Sequence, residues 1–204
     1  NPYEPPHARV EDASLIAAPI PKSAEELRYA GFWRRFGAYW VDFVALLPLA
    51  LIAYFVTNAG RLFYIAWFIP GLLIQLFFHV YLVKRYGGTP GKLVLKTRIA
   101  MLDGSPVTAK AAALRYVVLF ILAGLVGVGL CMGAMSMTEE TYLSLGYVAR
   151  SQKLMEIAPS WVHPLTLLMS GWVWSEFISM LFNDKRRAIH DFIAGTVVVE
   201  SQAS

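Results

Sequence analysis

Four long apolar stretches constrain the fold of this chain more than any other feature. They cover about residues 36–57, 62–83, 116–137 and 161–182, and they contain only two Asp, Glu, Lys or Arg residues, Asp42 and Glu176. A helix needs about 20 mostly apolar residues to cross a bilayer. Only 16% of the chain is charged, well below what is typical of a soluble domain. The sequence therefore predicts an all-α membrane protein with four transmembrane helices.

The positions of Lys and Arg predict how these helices are oriented. Fifteen of the 18 basic residues precede the first stretch, lie between the second and third, or follow the fourth, and three lie in the other two connections. Cytoplasmic loops are enriched in Lys and Arg, so both termini are expected in the cytoplasm. The basic residues also suit anionic lipid headgroups, so we expect the bilayer, and not nucleic acid, as the partner.

Two cytoplasmic segments have the character of β-strands. Residues 96–102 partly alternate between polar and apolar side chains, and Asp103-Gly104 is a typical hairpin turn. Residues 106–108 are the expected return strand, and residues 195–200 are rich in β-branched side chains. We predict a small cytoplasmic β-sheet that joins the loop between helices 2 and 3 to the C-terminal tail.

The chain divides into three parts. Residues 1–30 are polar and rich in proline, which predicts a disordered cytoplasmic tail. Residues 31–199 form the predicted transmembrane domain, and residues 200–204 a short tail. Within the domain, the long external loop contains an amphipathic pattern over residues 142–155, typical of a helix lying on the outer surface.

Gly129 and Gly133 form a small-xxx-small pair in the third apolar stretch. Such pairs allow helix backbones to approach closely in lipid. The pair therefore predicts either close packing within the bundle or a contact face for a homo-oligomer.

Polar side chains inside the apolar stretches are the main candidates for function, because they are costly in hydrocarbon. They are Asp42, Gln75, His79 and Glu176. At a rise of 1.5 Å per residue, the three ionisable ones lie roughly 7 to 13 Å inside the cytoplasmic surface. They come from three different helices at similar depth and are expected to converge.

This convergence has two interpretations. In the functional one, the residues line a polar cavity open to the cytoplasm that binds a small cation or relays protons, with Asp42 and Glu176 as acceptors and His79 exchanging protons near neutral pH. In the structural one, Asp42 pairs with an Arg at the cytoplasmic end, and Gln75 and His79 are hydrogen-bonded within the bundle.

Catalytic and cofactor motifs are missing from the sequence. No Ser-His-Asp, Cys-His or metal-ligand spacing occurs, so we expect no enzyme, no cofactor and no metal. The loop Gly88-Thr89-Pro90-Gly91-Lys92 lacks the earlier Gly and the following Ser or Thr of a phosphate loop. Its glycines instead predict a tight backbone path at the membrane surface.

Several ordered motifs resemble the RDD family of bacterial membrane proteins, which is named for one arginine and two aspartates. The resemblance covers about residues 31–199. The family arginine falls on Arg35, the first aspartate on Asp42 and the second on Asp191. The matching segments are Gly31 to Asp42, Gly88-Thr89-Pro90-Gly91-Lys92, Asp103 to Val107 and Arg186 to Val199.

The resemblance implies a multi-pass protein of the bacterial cytoplasmic (inner) membrane with a transport role, including cation/proton antiport as proposed for one member. We therefore expect transport of a small cation or proton through the cytoplasm-facing cavity. The alternative is a non-transporting scaffold or accessory subunit that docks a protein partner or anionic lipid. We further expect Arg35 to pair with Asp191 or Asp42 at the cytoplasmic mouth and so to join helix 1 to the tail.

Overall fold

The computed structural model describes residues 27–201, which form a helical bundle with one small sheet. In chain order the elements are α1 (Phe32–Val56), α2 (Phe63–Leu76), α3 (Leu82–Tyr86), α4 (Pro90–Val94), β1 (Thr97–Met101), α5 (Ala109–Ser136), α6 (Glu139–Ser144), α7 (Tyr147–Ile157), α8 (Val162–Ser179), α9 (Ile189–Ala194) and β2 (Thr196–Glu200). A π-helical segment, Phe77–Tyr81, joins α2 directly to α3.

Three helical stretches of the described chain are long and apolar enough to cross a membrane. They are Phe32–Ala59, Phe63–Val94 and Ala109–Ser136. Many of their large apolar side chains are exposed, which is typical of a surface that faces lipid. The fourth predicted span corresponds to α8, which has 18 residues and does not belong to these three.

The third predicted span begins earlier than expected. The prediction placed its start near residue 116, but α5 begins at Ala109 because the Thr108 hydroxyl caps the helix by accepting the Ala111 N–H at 3.1 Å. The first turns are rich in alanine, the strongest helix former. The early start places Arg115 inside the helix, two turns from its end, and not in a loop.

Helix α5 is the centre of the bundle. It packs against α2, α7, α8 and α9, while α1 packs mainly against α4. We call the end formed by α4, α9, β1 and β2 the tail end, and the end formed by α6, α7 and the turn after α1 the opposite end.

The predicted sheet is present, and it joins the segments that the sequence indicated. β1 and β2 pair antiparallel, in a register from Thr97 opposite Glu200 to Met101 opposite Thr196. The return strand is reduced to a single bridge between Ala100 and Pro106. Proline has no N–H to continue a ladder, and α5 begins three residues later, at Ala109.

Part of the segment predicted as a disordered tail is ordered. The Ala30 N–H donates to the Val198 carbonyl at 2.9 Å, and the Glu200 N–H donates to the Arg28 carbonyl at 2.8 Å. Leu27 and Ala30 are buried beside β2, so apolar burial adds to these backbone bonds. The prediction for residues 1–26, and the end of the predicted tail at 202–204, lie outside the described residues.

The predicted external helix is two helices, α6 and α7, which pack onto the opposite end and are not simply laid on a surface. Tyr142 and Leu154 are almost fully buried there. The glycine pair packs within the chain. A Cβ on Gly129 would meet Val162 Cγ2 at 2.1 Å, and one on Gly133 would meet the Leu154 carbonyl oxygen at 3.1 Å.

Candidate functional site: a buried charge cluster beside a cavity

Asp191 is the centre of a charge cluster at the tail end. Its carboxylate is fully buried and accepts hydrogen bonds from four groups. Oδ2 accepts from Arg35 Nη1 and from the Ala188 N–H, both at 3.0 Å, and Oδ1 accepts from Thr196 Oγ1 at 3.0 Å and from Arg115 Nη1. The Asp191 side chain of α9 therefore joins α1 to α5 through its ion pairs with Arg35 and Arg115.

The ionisation of Asp191 depends on this cluster. Burial by itself would raise the pKa of the Asp191 carboxyl, but the charges of Arg115, His190 and Arg35 and the Ala188 N–H hold that pKa well below its usual range. The carboxylate is therefore charged, and it compensates the two buried guanidinium groups.

Arg35 forms the predicted pair with Asp191 and not with Asp42. Its side chain is 6% exposed, and its Nη1 contacts both Asp191 and the sulfur of Met180, at 3.0 and 3.1 Å. The Nε and Nη2 atoms of the same guanidinium are buried and have no hydrogen-bond partner among the described residues. Native proteins rarely leave buried donors unpaired, so this half of the group calls for an explanation.

Among the described residues, Asp42 accepts hydrogen bonds from the loop that leads into α4, and not from an arginine. Its Oδ2 accepts from Thr89 Oγ1 at 2.6 Å, and its Oδ1 accepts from the Gly91 N–H at 2.7 Å. A Cβ on Gly91 would lie 2.0 Å from the Ala38 carbonyl oxygen, so only glycine allows the loop to approach α1 this closely. Asp42 thus ties the Gly88-Thr89-Pro90-Gly91-Lys92 loop to α1, a form of the structural interpretation with backbone and hydroxyl donors in place of an arginine.

Glu176 meets a histidine that the sequence interpretation did not use. His190 Nδ1 lies 2.6 Å from Glu176 Oε1, and His190 Nε2 lies 2.7 Å from Arg115 Nη2. A guanidinium nitrogen can only donate, so Nε2 is the acceptor and the imidazole proton belongs on Nδ1, which faces Glu176. The approach to Glu176 is close but poorly aligned for a hydrogen bond, and Oε1 has no other partner in the described chain.

Gln75 and His79 are connected through an aromatic ring. The His79 imidazole stacks on Tyr116 with ring centres 4.4 Å apart, and the Tyr116 hydroxyl donates to Gln75 Oε1. His79 lies in the π-helical segment, whose wider turn shifts the side chains that follow Gln75 to a different angle. His79 therefore lines the cavity described next, whereas Gln75 does not.

A cavity of about 350 Å³ lies between α1, α4, α5 and α8 at the tail end. Of the predicted residues, its wall includes Arg35, Asp42, His79, Thr89, Lys92 and Glu176. Arg115 and His190 also line it, while Asp191 lies behind the two arginines. The structure thus brings together the polar side chains that were expected to converge from three helices.

Arg115 and His190 are the two residues that sequence reasoning missed. Hydropathy places Arg115 in the loop, because the apolar run begins at residue 116, seven residues after the helix itself begins. The cap residue Thr108 followed by an alanine-rich turn is the signal that would have placed Arg115 within the helix. His190 was attributed to the tail motif alone, and nothing in its neighbourhood along the chain indicates its contact with Glu176.

No group of three or more His, Cys, Asp or Glu side chains in the described part of the chain has the arrangement of a metal site. The cluster is built from cations and anions in nearly equal number, and its donors are guanidinium, ammonium, hydroxyl and backbone groups. It can hold charge, exchange protons and bind a polar solute.

Long apolar helices with lipid-exposed faces, surrounding a buried charge cluster, define a helical membrane protein with a polar cavity. The RDD family model matches residues 29–195, and the chain belongs to the RDD family, whose members are associated with membranes. The arginine and two aspartates of the resemblance, Arg35, Asp42 and Asp191, are the residues that join α1 to the loop and to the tail. Comparison with curated proteins and with solved structures found no significant match.

Proposed function

We propose that this protein moves protons across the bacterial cytoplasmic membrane through the cavity at its tail end. It does so as a four-span protein with both termini in the cytoplasm. The observation that carries the proposal is the contact between Glu176 and His190, two exchangeable groups that face each other at 2.6 Å on the cavity wall.

The four-span arrangement rests on the length and position of α8. Its 18 residues give about 27 Å at 1.5 Å per residue, which is close to the hydrocarbon thickness of about 30 Å. α8 packs against α5. It leads from the opposite end, where α7 precedes it, to the tail end, where α9 follows.

The orientation follows from the charges at the two ends. The tail end contains the basic residues of the loop between α2 and α5 and of the segment before α9. Of the basic residues between positions 27 and 201, the opposite end contains Arg61, Arg150 and Lys153. The positive-inside rule then places the tail end, and with it the cavity, on the cytoplasmic side.

The proton route has a defined acceptor. Arg115 holds His190 Nε2 as an acceptor, so the imidazole proton stays on Nδ1 and an incoming proton is taken up by the facing Glu176 carboxylate. Asp191, in contrast, is held in its charged form by its two arginine partners. His79 also lines the cavity, on the side of α2.

Of the two cargoes expected from the sequence, the geometry favours the proton over a metal cation. Arg35, Lys92 and Arg115 line the cavity beside Asp42 and Glu176, so its wall has no excess of negative charge to attract a metal cation. Both oxygens of Asp42 already accept hydrogen bonds, so this carboxylate has little capacity left as a cation ligand.

The proposal is tested with the full chain reconstituted into vesicles that contain a pH-sensitive dye. An imposed pH gradient should dissipate faster than in protein-free vesicles, and Glu176→Gln should return the rate to the leak of protein-free vesicles. Glu156→Gln is the matched control, because Glu156 is exposed at the opposite end, and it should transport like the wild type.

Two results would change the conclusion. Vesicles with wild-type protein that leak no faster than empty ones would contradict proton transport. A Na⁺ or K⁺ gradient that drives proton movement would assign the cavity to cation/proton exchange.

A second candidate is a scaffold that docks anionic lipid or a partner protein at the cytoplasmic surface. It is favoured by the exposed cations of the tail end, among them Lys84, Arg85, Lys185 and Arg186. Such clusters attract anionic headgroups over roughly a Debye length. A negative result in the vesicle experiment would leave this candidate as the better one.

A further inference from the structure

We infer that the cavity contains a binding site for the carboxylate or phosphate group of an anion, formed by the free edge of the Arg35 guanidinium and by the Lys92 ammonium. This site goes beyond the proton route, because it uses neither Glu176 nor His190. It therefore stands or falls independently of proton movement.

The first observation is that only one nitrogen of the Arg35 guanidinium has hydrogen-bond partners among the described residues. Nη1 is occupied by Asp191 and Met180, while Nε and Nη2 are buried and unpartnered among the described residues. Nε–H and Nη2–H lie on the same edge of the planar group and point in parallel. Two parallel N–H donors match the two oxygens of a carboxylate or phosphate.

The second observation is the position of Lys92. It lines the same cavity, and no hydrogen bond or ion pair of its ammonium occurs within residues 27–201. Its backbone is fixed on both sides, because Gly91 donates to Asp42 and the Lys92 carbonyl accepts from Thr97 Oγ1 at 2.9 Å. A loop so firmly tied to α1 presents this charge to the cavity at a constant place.

The unpaired donors of Arg35 favour an anion as the occupant. Asp42 and Glu176 also line the cavity, but neither carboxylate accepts a hydrogen bond from Arg35 or Lys92 within the described residues. Both oxygens of Asp42 already accept hydrogen bonds from the loop. Buried donors without acceptors are costly, and an oxyanion would satisfy both edge donors of Arg35 at once.

The size of the cavity limits the ligand to a small group. About 350 Å³ is at the lower end of small-molecule pockets, enough for a short organic acid, for inorganic phosphate or for the phosphate of one lipid headgroup. The soluble and the lipid source share the same recognising chemistry, and the experiment distinguishes them.

The first arm uses purified full-length protein in an uncharged detergent. Thermal unfolding is followed with increasing sodium phosphate, and with sodium chloride at equal ionic strength. We expect phosphate to raise Tm beyond chloride, because a ligand of the folded state stabilises it. Lys92→Gln should require about tenfold more phosphate for the same shift, as expected for loss of one charge-assisted hydrogen bond.

Lys153→Gln is the matched control, since it removes the same charge from a side chain that is 42% exposed at the opposite end. It should respond to phosphate like the wild type. Arg35→Lys is a second variant that keeps a cation for Asp191 but lacks the two parallel donors. If it folds, it should lose the phosphate response while retaining the chloride response.

The second arm uses nanodiscs of phosphatidylglycerol or of phosphatidylcholine, with retained lipid counted by native mass spectrometry. Retention of phosphatidylglycerol by the wild type and by Lys153→Gln, but not by Lys92→Gln, would support the site with a lipid as its source, even where free phosphate has no effect. Neither phosphate nor anionic lipid binding to the wild type would overturn the proposal. Equal binding by the wild type and Lys92→Gln would also overturn it.

Discussion

Each end of the bundle buries an arginine, and the two are used in opposite ways. At the opposite end, Arg150 is 2% exposed, donates to Asn58 Oδ1 at 2.6 Å and to the Thr57 carbonyl at 3.4 Å, and lies over the Tyr142 ring at 4.5 Å. At the tail end, Arg35 is paired with a carboxylate and leaves two donors unused.

The difference separates a structural arginine from one that is available for a ligand. Arg150 has neutral partners, and none of its nitrogens is a buried unpaired donor in the described chain. Its hydrogen bonds to Thr57 and Asn58 fix the connection that follows α1. Arg35 has a charged partner on one nitrogen and two buried nitrogens without a partner among the described residues, and its side chain lines a cavity.

The sharpest way to break this comparison is Asp191→Asn. The change leaves Arg35 and Arg115 buried without their shared counter-charge, which is expected to cost about 3–5 kcal/mol. For a chain of this size that lowers Tm by roughly 10 °C. Unfolding in detergent, followed by tryptophan fluorescence, measures the loss.

Asp103→Asn is the matched control for this change. Asp103 lies in the exposed hairpin turn, where Ser105 Oγ and the Ser105 N–H donate to its carboxylate. The control should leave Tm unchanged. A Tm for Asp191→Asn within a degree or two of the control would show that the charge cluster does not hold the tail end together.

Acid should affect the two ends unequally. The folded-state pKa of Asp191 is lowered, so its contribution to stability is complete above the unfolded-state pKa of about 3.9 and is lost as pH falls below it. The Tm difference between the wild type and Asp191→Asn should therefore shrink below about pH 4. Hydrogen exchange should show α9 opening before α7, and simultaneous opening would contradict the comparison.

The smallest effect is expected from Tyr142→Phe at the opposite end. The Tyr142 hydroxyl lies 2.8 Å from both the hydroxyl and the carbonyl oxygen of Thr57, so the change removes neutral hydrogen bonds worth about 1 kcal/mol. Tm should fall by about 2–4 °C with phosphate binding unaffected. Tyr86→Phe, an exposed tyrosine, is the control. A loss of stability as large as that of Asp191→Asn would mean that these neutral hydrogen bonds and the buried ion pairs are equally costly to remove.

The sequence predicts the long helices and the sheet of this fold well, because both depend on patterns that are local along the chain. Apolar runs indicated three of the stretches that the structure makes long enough to span, and the β-branched tail found its partner in β1. The predicted start of the third span lies seven residues after the start of α5, because hydropathy stops at the first cation, whereas the helix begins at its cap.

The site could be predicted only in part. Depth along the helices brought Asp42, His79 and Glu176 to one level, but the sequence left open whether Arg35 pairs with Asp191 or with Asp42. The hydrogen-bond partners of these side chains depend on how the helices are rotated about their axes. The π-helical segment that separates Gln75 from the cavity, and the α9 turn that carries His190 to Glu176, leave no local signature.

The separation of Arg35 and Asp191 by 156 positions has a consequence for biogenesis. A nascent chain that has passed Arg115 but not reached Asp191 holds both guanidinium groups without the carboxylate that pairs with them in the finished fold. The tail end is therefore expected to close only after Asp191 has been synthesised.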